Sequence, residues 1–203
     1  MKKNLGMQYA LQPNILTVVG TYDDAGTPNA MTVGWAGIAN SRPKICVSIS
    51  VRKETHTYQG LIGRKAFTVN LPSEELFRET AYFGVASGNN ENKFAATGLT
   101  PVRSDFVDAP YIEEFPVNLE CKVIQIHEIG SHIQFIGEIE NVKVDDTFDD
   151  KTPLIEQLRP IVYGAGDNFT YYGLGKKIHV QQDGMSLKES LEKVSQKINL
   201  TEK

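Results

Sequence analysis

The stretch Ile45-Cys46-Val47-Ser48-Ile49-Ser50-Val51-Arg52 decides the fold class of this chain. Its odd-numbered positions are all apolar, whereas its even-numbered positions hold a cysteine, two serines and an arginine. This period of two is typical of a strand with one buried face. The stretch therefore predicts a sheet whose inner face packs in a core and whose outer face carries hydroxyls and a cation.

The segments before and after this strand continue the β pattern. Residues 15–22, 29–38 and 66–71 are rich in β-branched or alternating side chains, and turn residues at 23–28 separate the first two segments. In the second predicted strand one face carries Asn29 and Trp35, and the opposite face is unusually small around Thr32 and Gly34. Such a small face favours either a tightly packed barrel corner or the close approach of a ligand.

A long hairpin is predicted over residues 117–144. Its arms cover 117–129 and 132–144 and are joined at Gly130-Ser131. The apolar alternation slips near 123–124 and again near 141–142, which predicts bulges that bend both arms.

Three short helices are predicted between the strands. The first covers residues 54–63 and ends at Gly63, and the second begins after Ser73 as its N-cap. The third covers residues 90–96 and ends at Gly98.

The C-terminal part reads differently from the rest. Residues 152–175 mix Pro, Gly and aromatic side chains and predict an irregular surface wrap. A capping box at 186–189 opens an amphipathic helix that would pack on the core or on a second subunit. Its apolar stripe consists of Leu187, Leu191, Val194 and Ile198. We expect one domain over residues 1–203, with a barrel core at about 10–150 and the C-terminal wrap and helix at about 151–203.

Composition narrows the function classes. The chain has 203 residues and a net charge of −4, so no basic surface indicates nucleic-acid binding. No apolar run reaches the roughly 18 residues of a membrane span, and the N-terminus lacks the apolar segment of a signal peptide. We therefore expect a cytoplasmic protein that does not enter a membrane. Cys46 and Cys121 both fall in predicted strands, which favours buried thiols over a disulfide.

Several common catalytic motifs are missing from the sequence. It contains no glycine-rich dinucleotide or P-loop motif and no Gly-x-Ser-x-Gly elbow. The four histidines do not show metal-ligand spacing, so no metal site is expected.

One candidate ligand site remains, at the end of the strand quoted above. Ser48, Ser50 and Arg52 share one face, and Lys53 leads into the first predicted helix. Hydroxyls, a guanidinium group, an ammonium group and helix N-terminal amides together can bind a phosphate monoester. A solvated strand end would show the same residues, and spacing alone leaves both readings open.

A family resemblance adds to this reading. The chain resembles the flavin reductase family, in its flavoredoxin branch, over about residues 15–175. The resemblance is carried by Asn29-Ala30-Met31-Thr32-Val33-Gly34-Trp35, by residues 48–57 and 67–70, by Gly130-Ser131-His132, and by residues 118–121 and 171–175. It implies a mainly β fold with peripheral helices, an FMN-binding split β-barrel of Greek-key type. It also implies a homodimer with flavin sites near the subunit interface. Residues after Gly175 do not match the family.

The resemblance also implies roles for particular residues. The residues expected against the isoalloxazine ring are Asn29, Thr32 and Trp35. Those expected around the ribityl phosphate are Ser48, Ser50, Arg52, Lys53 and Thr57. Asn70 would border the site, and Lys93, His132 and Tyr163 would approach the ring from outside the barrel. A positive charge at Lys93 or His132 would raise the flavin potential. His132 is the candidate catalytic residue, and no other acid or base is assigned because FMN itself supplies the redox chemistry.

The expected function is an FMN-binding oxidoreductase or electron-transfer protein. It would pass electrons from NAD(P)H or a protein donor to a redox partner protein or a small-molecule acceptor. One alternative is a non-catalytic barrel that carries flavin or another planar ligand. A further alternative is an oxidase or heme-binding relative of the same barrel.

Overall fold

The computed structural model describes residues 1–164 and 170–175, and these residues are mainly β with peripheral helices. This confirms the predicted fold class. The strands are β1 Asn14–Ile15, β2 Thr17–Tyr22, β3 Pro28–Val33, β4 Ala36–Asn40, β5 Cys46–Val51, β6 Ala66–Leu71, β7 Pro101–Arg103, β8 Pro110–Ile112, β9 Val117–Ile129, β10 His132–Val144, β11 Val162–Gly164 and β12 Thr170–Tyr172. The α-helices are α1 His56–Arg64, α2 Phe77–Val85, α3 Lys93–Thr97 and α4 Leu154–Leu158.

The main sheet has seven antiparallel strands in the order β3-β2-β6-β9-β10-β5-β4. Its two edge strands, β3 and β4, follow each other in the chain and are separated only by Gly34 and Trp35. Two edges joined by two residues must lie close together, so the sheet curls into a barrel. The Ser50 amide donates to the Trp35 carbonyl at 2.9 Å, which ties β5 to this junction. The single strand predicted over residues 29–38 is therefore wrong, because the chain turns there from one sheet edge to the other.

The inner face of the barrel holds the main apolar core. The alternation in β5 is confirmed, since Val47, Ile49 and Val51 are buried while Ser48 and Ser50 are partly exposed. The other buried members of this core are Val19, Val33, Leu61, Phe67, Val69, Cys121, Ile133 and Phe135. Cys46 and Cys121 are both free and buried, as predicted. Burial raises the pKa of the Cys121 thiol, so this cysteine is an unreactive core residue.

The hairpin is confirmed, with arms β9 and β10 joined at Gly130, whose φ is 56°. The pairing shifts between Ile136 and Gly137, opposite the predicted slip at 123–124. It shifts again between Ile139 and Asn141, slightly ahead of the predicted position. Both irregularities bend the arms around the barrel.

The helices differ from prediction at their ends. The first, α1, continues past Gly63 to Arg64 and ends at Lys65, whose φ of 55° provides the left-handed cap. Ser73 makes no side-chain cap bond and pairs instead with Pro160, and a 3₁₀ turn over Glu74–Leu76 precedes α2. The third helix begins later than predicted and ends at Gly98 as predicted. Among the described helices, none is long and apolar enough to cross a membrane.

Of the segment 152–175, the described residues 152–164 and 170–175 are more regular than predicted. They contain α4 and two strands of a second sheet, in which β11 pairs with β1 on one side and with β12 on the other. Leu16, Ile161 and Tyr163 form a small buried cluster beneath this sheet. The irregular wrap is therefore wrong for these described residues, because the pairing of β1, β11 and β12 satisfies backbone groups that an irregular wrap would leave unpaired. The amphipathic helix predicted after residue 186 lies outside the described residues.

Candidate functional site

A cleft of about 760 Å³ opens on the outside of the barrel, where the β3–β4 junction, β5 and α1 meet. Three walls form it: the barrel with the start of α1, the end of α2 with its following loop, and the tip of the hairpin. The lining residues are Met31–Trp35, Ser50–Thr57, Gly84–Gly88, Lys93 and 130–132. Clefts of this size hold small-molecule ligands and cofactors.

The first wall contains three members of the predicted cation and hydroxyl cluster, Ser50, Arg52 and Lys53. Ser50 faces outward from β5 into the cleft, and Arg52 follows it on an exposed turn. Within residues 1–164 and 170–175, no hydrogen bond or ion pair involves the Arg52 side chain. Lys53 also lines the cleft, but its Nζ lies 2.8 Å from Glu128 Oε1, and this hydrogen bond raises the pKa of the lysine. Arg52 is therefore the more accessible cation for a ligand.

The start of α1 completes this wall. Thr57 is 1% exposed and lines the cleft, and its Oγ1 accepts a hydrogen bond from Asn29 Nδ2 at 2.9 Å. Because that bond uses a lone pair of the hydroxyl, the hydrogen of the hydroxyl stays available to an acceptor in the cleft. The first turn of α1 carries no acidic side chain. A helix N-terminus of this kind favours an anion.

Trp35 provides the aromatic surface of the cleft. It is 36% exposed at the β3–β4 junction, its ring centroid lies 5.5 Å from that of Tyr9, and the two rings are stacked. Tyr163 supports it from the second sheet, with a centroid distance of 6.3 Å. A side chain at Gly34 would overlap the Tyr163 ring, so this junction requires glycine. Trp35 is thus held by rings on two sides while one part of it stays accessible.

The second wall was not predicted from the sequence. Residues 84–88 lie across the cleft from the barrel, and Val85 in this wall is 85% exposed. A side chain at Gly88 would overlap the amide oxygen of Asn29, so the loop passes directly over that residue. Thr32 lines the cleft as expected, but its hydroxyl donates to the Thr80 carbonyl of α2. The sequence does contain a signal for this loop, because residues 84–92 are rich in glycine, serine and asparagine, which are typical of turns.

Lys93 is a buried cation in this wall. It is 4% exposed, and its Nζ lies 3.3 Å from the Phe83 carbonyl and 3.4 Å from the Ala86 carbonyl, both at the end of α2. Burial lowers the pKa of Lys93 from 10.5 to about 8, and the nearby Glu91 carboxylate acts in the opposite direction. A buried, perturbed amine in a cleft is a typical feature of a functional site.

His132 lies at the third wall, the tip of the hairpin. It lines the cleft, and its Nδ1 lies 2.9 Å from Ser131 Oγ. The other ring nitrogen is thereby left for a partner in the cleft. The structure therefore brings His132 and Lys93, which are far apart in sequence, to the same cleft.

Four predicted site residues do not line the cleft. Asn29 lies beneath it and supports Thr57. Asn70 is fully buried, donates to the Val18 carbonyl at 2.8 Å and accepts from the Ile112 amide at 3.1 Å, so it connects strands. Ser48 donates to the Gly37 carbonyl of β4 at 3.4 Å.

Tyr163, the fourth of these residues, stands behind Trp35 and is only 7% exposed. Burial raises the pKa of its phenol, with further contributions from Tyr171 and Tyr9. Among the described residues, no group of histidine, cysteine, aspartate and glutamate side chains could hold a metal ion.

Comparison with known proteins identifies the family to which this chain belongs. The model of the flavin reductase like domain matches residues 10–167, well over half of the chain, and the chain therefore belongs to this family. The fold is the split barrel of that family. Its function is accordingly a flavin-related redox function.

Individual relatives refine this assignment to the flavoredoxin branch. The chain is 43% identical to flavoredoxin of Desulfovibrio vulgaris (Miyazaki F). The match covers 91% of this chain and 99% of the flavoredoxin chain, and the two structures superimpose with a TM-score of 0.82. Flavoredoxin from Methanosarcina acetivorans is 24% identical, with 91% and 96% of the two chains covered and a TM-score of 0.79. An uncharacterized protein of Archaeoglobus fulgidus is 36% identical over 70% of this chain and 80% of its own.

Proposed function

We propose that the cleft binds FMN and that the protein passes electrons from NAD(P)H or a protein donor through the bound FMN. The observation that carries this proposal is the arrangement of two chemically different ends in one cleft. Arg52 and the start of α1 offer cationic and hydrogen-bonding groups, whereas Trp35 offers an aromatic surface. A flavin mononucleotide has a phosphate at one end and a planar ring system at the other.

The residues fit the phosphate end in detail. Ser50 and Thr57 would donate hydroxyl hydrogens, Arg52 would donate from its guanidinium group, and the amides of the first turn of α1 would complete the site. Lys53 would share its ammonium group between the phosphate and Glu128. Ser48, which bonds toward β4, would not contribute.

The ring would lie between Trp35 and the wall of residues 84–88. Lys93 and His132 would supply the positive charge or hydrogen bonds along its edge. When bound, FMN supplies hydride and single-electron chemistry. The protein's own contribution is to bind the phosphate, orient the ring, and hold a proton at Lys93 Nζ or on the His132 ring.

The direct test is flavin binding by the purified protein. We expect a yellow protein, or one that becomes yellow on addition of FMN. Isothermal titration calorimetry is expected to give a dissociation constant of about 1 μM or tighter, which corresponds to about −8 kcal/mol. Absence of binding at micromolar protein would refute the proposal. A heme spectrum would assign the protein to the heme-binding relatives of the barrel.

Steady-state oxidation of NAD(P)H separates an enzyme from a carrier. We expect added FMN or bound FMN to be reduced at the expense of NADH or NADPH. If FMN binds but neither nucleotide is oxidised, two readings remain. Reduction by a protein donor would retain electron transfer, and failure with both donor types would leave the flavin-carrying barrel.

We also propose a homodimer. The edge strand β4 carries Ile38, which is 66% exposed, and the following loop carries Ile45, which is 52% exposed. Exposed apolar side chains at a sheet edge favour pairing with another chain. Sedimentation equilibrium of the flavin-bound protein is expected to give twice the chain mass of 22.5 kDa, and a single species of chain mass would refute the dimer.

A further inference from the structure

Among the described residues, the nitrogen of Lys93 contacts groups at the end of α2, including the Phe83 ring, whose centroid lies 5.7 Å away. Its two hydrogen-bond acceptors, the Phe83 and Ala86 carbonyls, both belong to the end of α2. A neutral amine has two hydrogens, and both can be donated to these two carbonyls. The lone pair is then used by neither carbonyl, and Lys93 lines the cleft.

The anion site, formed by Arg52 and the first turn of α1 in the first wall, lies a short distance from Lys93 in the second wall. Ala86 and Gly88 are two residues apart, so their Cα atoms are within about 7.6 Å of each other. Gly88 packs on the first turn of α1, where an added Cβ would lie 3.2 Å from His56 Cβ. An amine and an anion site therefore occupy neighbouring parts of one cleft.

We propose that Lys93 is a covalent binding site for aldehydes that carry a phosphate group. The amine forms an imine with the aldehyde carbon, while Arg52 and the first turn of α1 hold the phosphate. The inference rests on the proposed function, because the phosphate would occupy the anion site assigned to FMN. The lone pair forms the new C–N bond, and the carbonyl oxygen leaves as water with the two hydrogens of the amine. No oxidant or reductant is consumed.

The lowered pKa of Lys93, about 8, makes this reaction selective. Only the neutral amine attacks a carbonyl. At pH 8 about half of Lys93 is neutral, whereas an exposed lysine with an ordinary pKa is almost entirely protonated. The share of reactive amine is therefore on the order of 100-fold larger at Lys93.

The test uses pyridoxal 5′-phosphate as the probe on the flavin-free full chain at pH 8. Borohydride reduces any imine to a stable adduct, and peptide mass mapping locates it. We expect one main adduct, on Lys93, which is lost in Lys93→Arg and retained in the matched control Lys122→Arg, which alters an exposed lysine of β9. Saturating FMN should prevent the adduct, and pyridoxal without phosphate should react at least 10-fold more slowly.

The main measurement locates the adduct in the wild-type chain, so the result does not depend on whether a variant folds. An adduct spread over surface lysines, or none on Lys93, would overturn the proposal. Equal reaction with pyridoxal would overturn the role of the anion site. FMN binding by calorimetry without a Lys93 adduct would refute this inference alone. A Lys93 adduct in a chain that does not bind FMN would refute the proposed function alone.

Discussion

Among the residues that the structure describes, Glu120 and Lys93 are the two buried side chains of ordinarily charged type, and their surroundings differ. Glu120 on β9 is fully buried, and Phe106 N–H donates to its carboxylate at 2.8 Å. Asn141 Nδ2 donates at 3.3 Å, and Lys143 Nζ lies 3.5 Å away. The carboxylate therefore has a hydrogen-bonding or ionic partner for each oxygen.

Lys93 has no such set of partners. In the described part of the chain its hydrogen bonds go to two main-chain carbonyls and not to a carboxylate. Hydrogen-bonding and ionic partners offset the cost of removing a charge from water. A buried charge that lacks such partners lowers the stability of the folded protein or loses its charge. This difference is expected if Glu120 stabilises the fold and Lys93 has the role in the cleft proposed above. Four experiments test this contrast.

The largest expected effect is at Glu120. Glu120→Leu should lower the free energy of unfolding by about 3–5 kcal/mol, because it leaves the Phe106 amide and Asn141 Nδ2 without their charged acceptor. Lys143 keeps its ion pair with Asp105. Urea unfolding followed by circular dichroism measures this loss. Glu140→Leu, at an exposed position of the neighbouring strand β10, should change stability by less than about 0.5 kcal/mol. Similar losses in both variants would remove the structural role of Glu120.

The next effect is the pH dependence of stability at Lys93. Its folded pKa is about 8 and its unfolded value is 10.5, so between these values the unfolded chain holds a proton that the folded chain has lost. Stability therefore rises with pH across this window, by up to about 3 kcal/mol. Below pH 8 both states are protonated, and burying the charge carries its full cost.

Comparison with Lys93→Met isolates this contribution. The flavin-free variant should be more stable than the wild type at pH 7, and this advantage should shrink as the pH rises to 10.5. Urea unfolding at pH 7, 9 and 10.5 measures the difference. Lys122→Met serves as the exposed control and should show a constant difference. A constant difference for Lys93→Met would mean that burial of its charge is fully compensated.

The contrast extends to Arg52, an exposed cation at the cleft. Arg52→Ala should weaken FMN binding about 10- to 150-fold, because a charge-assisted hydrogen bond contributes roughly 1.5–3 kcal/mol. Riboflavin lacks the phosphate, so its binding should change little. Arg42→Ala removes the same charge from an exposed loop and should affect neither ligand. Calorimetric titration with both ligands measures this. Equal losses for FMN and riboflavin would show that Arg52 supports the fold.

The smallest effect is expected at Asn29, a buried polar residue that serves the cleft through Thr57. Asn29→Ala should weaken FMN binding about 5-fold, or about 1 kcal/mol, because the Thr57 hydroxyl loses its orientation. Thr57→Val should cost at least as much. The double variant should be no weaker than Thr57→Val alone, since both changes remove one interaction. Additive losses would indicate that Asn29 contacts the ligand independently.

The sequence determined the local features of this protein. The alternation in β5 placed Ser50 outward and Val47, Ile49 and Val51 in the core, because side chains of a strand alternate between its faces. The hairpin and its turn at Gly130 were equally readable, since turn chemistry and alternation are both short-range properties. The cation and hydroxyl cluster at Ser50 and Arg52 followed from the same pattern.

The tertiary structure decided which distant residues meet. The curl that joins β3 to β4 exposes Trp35, and the packing of α2 against β3 brings residues 84–88 over Asn29. Asn29 therefore lies beneath the cleft, and Asn70 joins strands, although both match the family motif. The burial of Lys93 and of Glu120 depends on contacts between segments far apart in the chain. Solvation and charge compensation are set by those contacts, so no short pattern in the sequence specifies them.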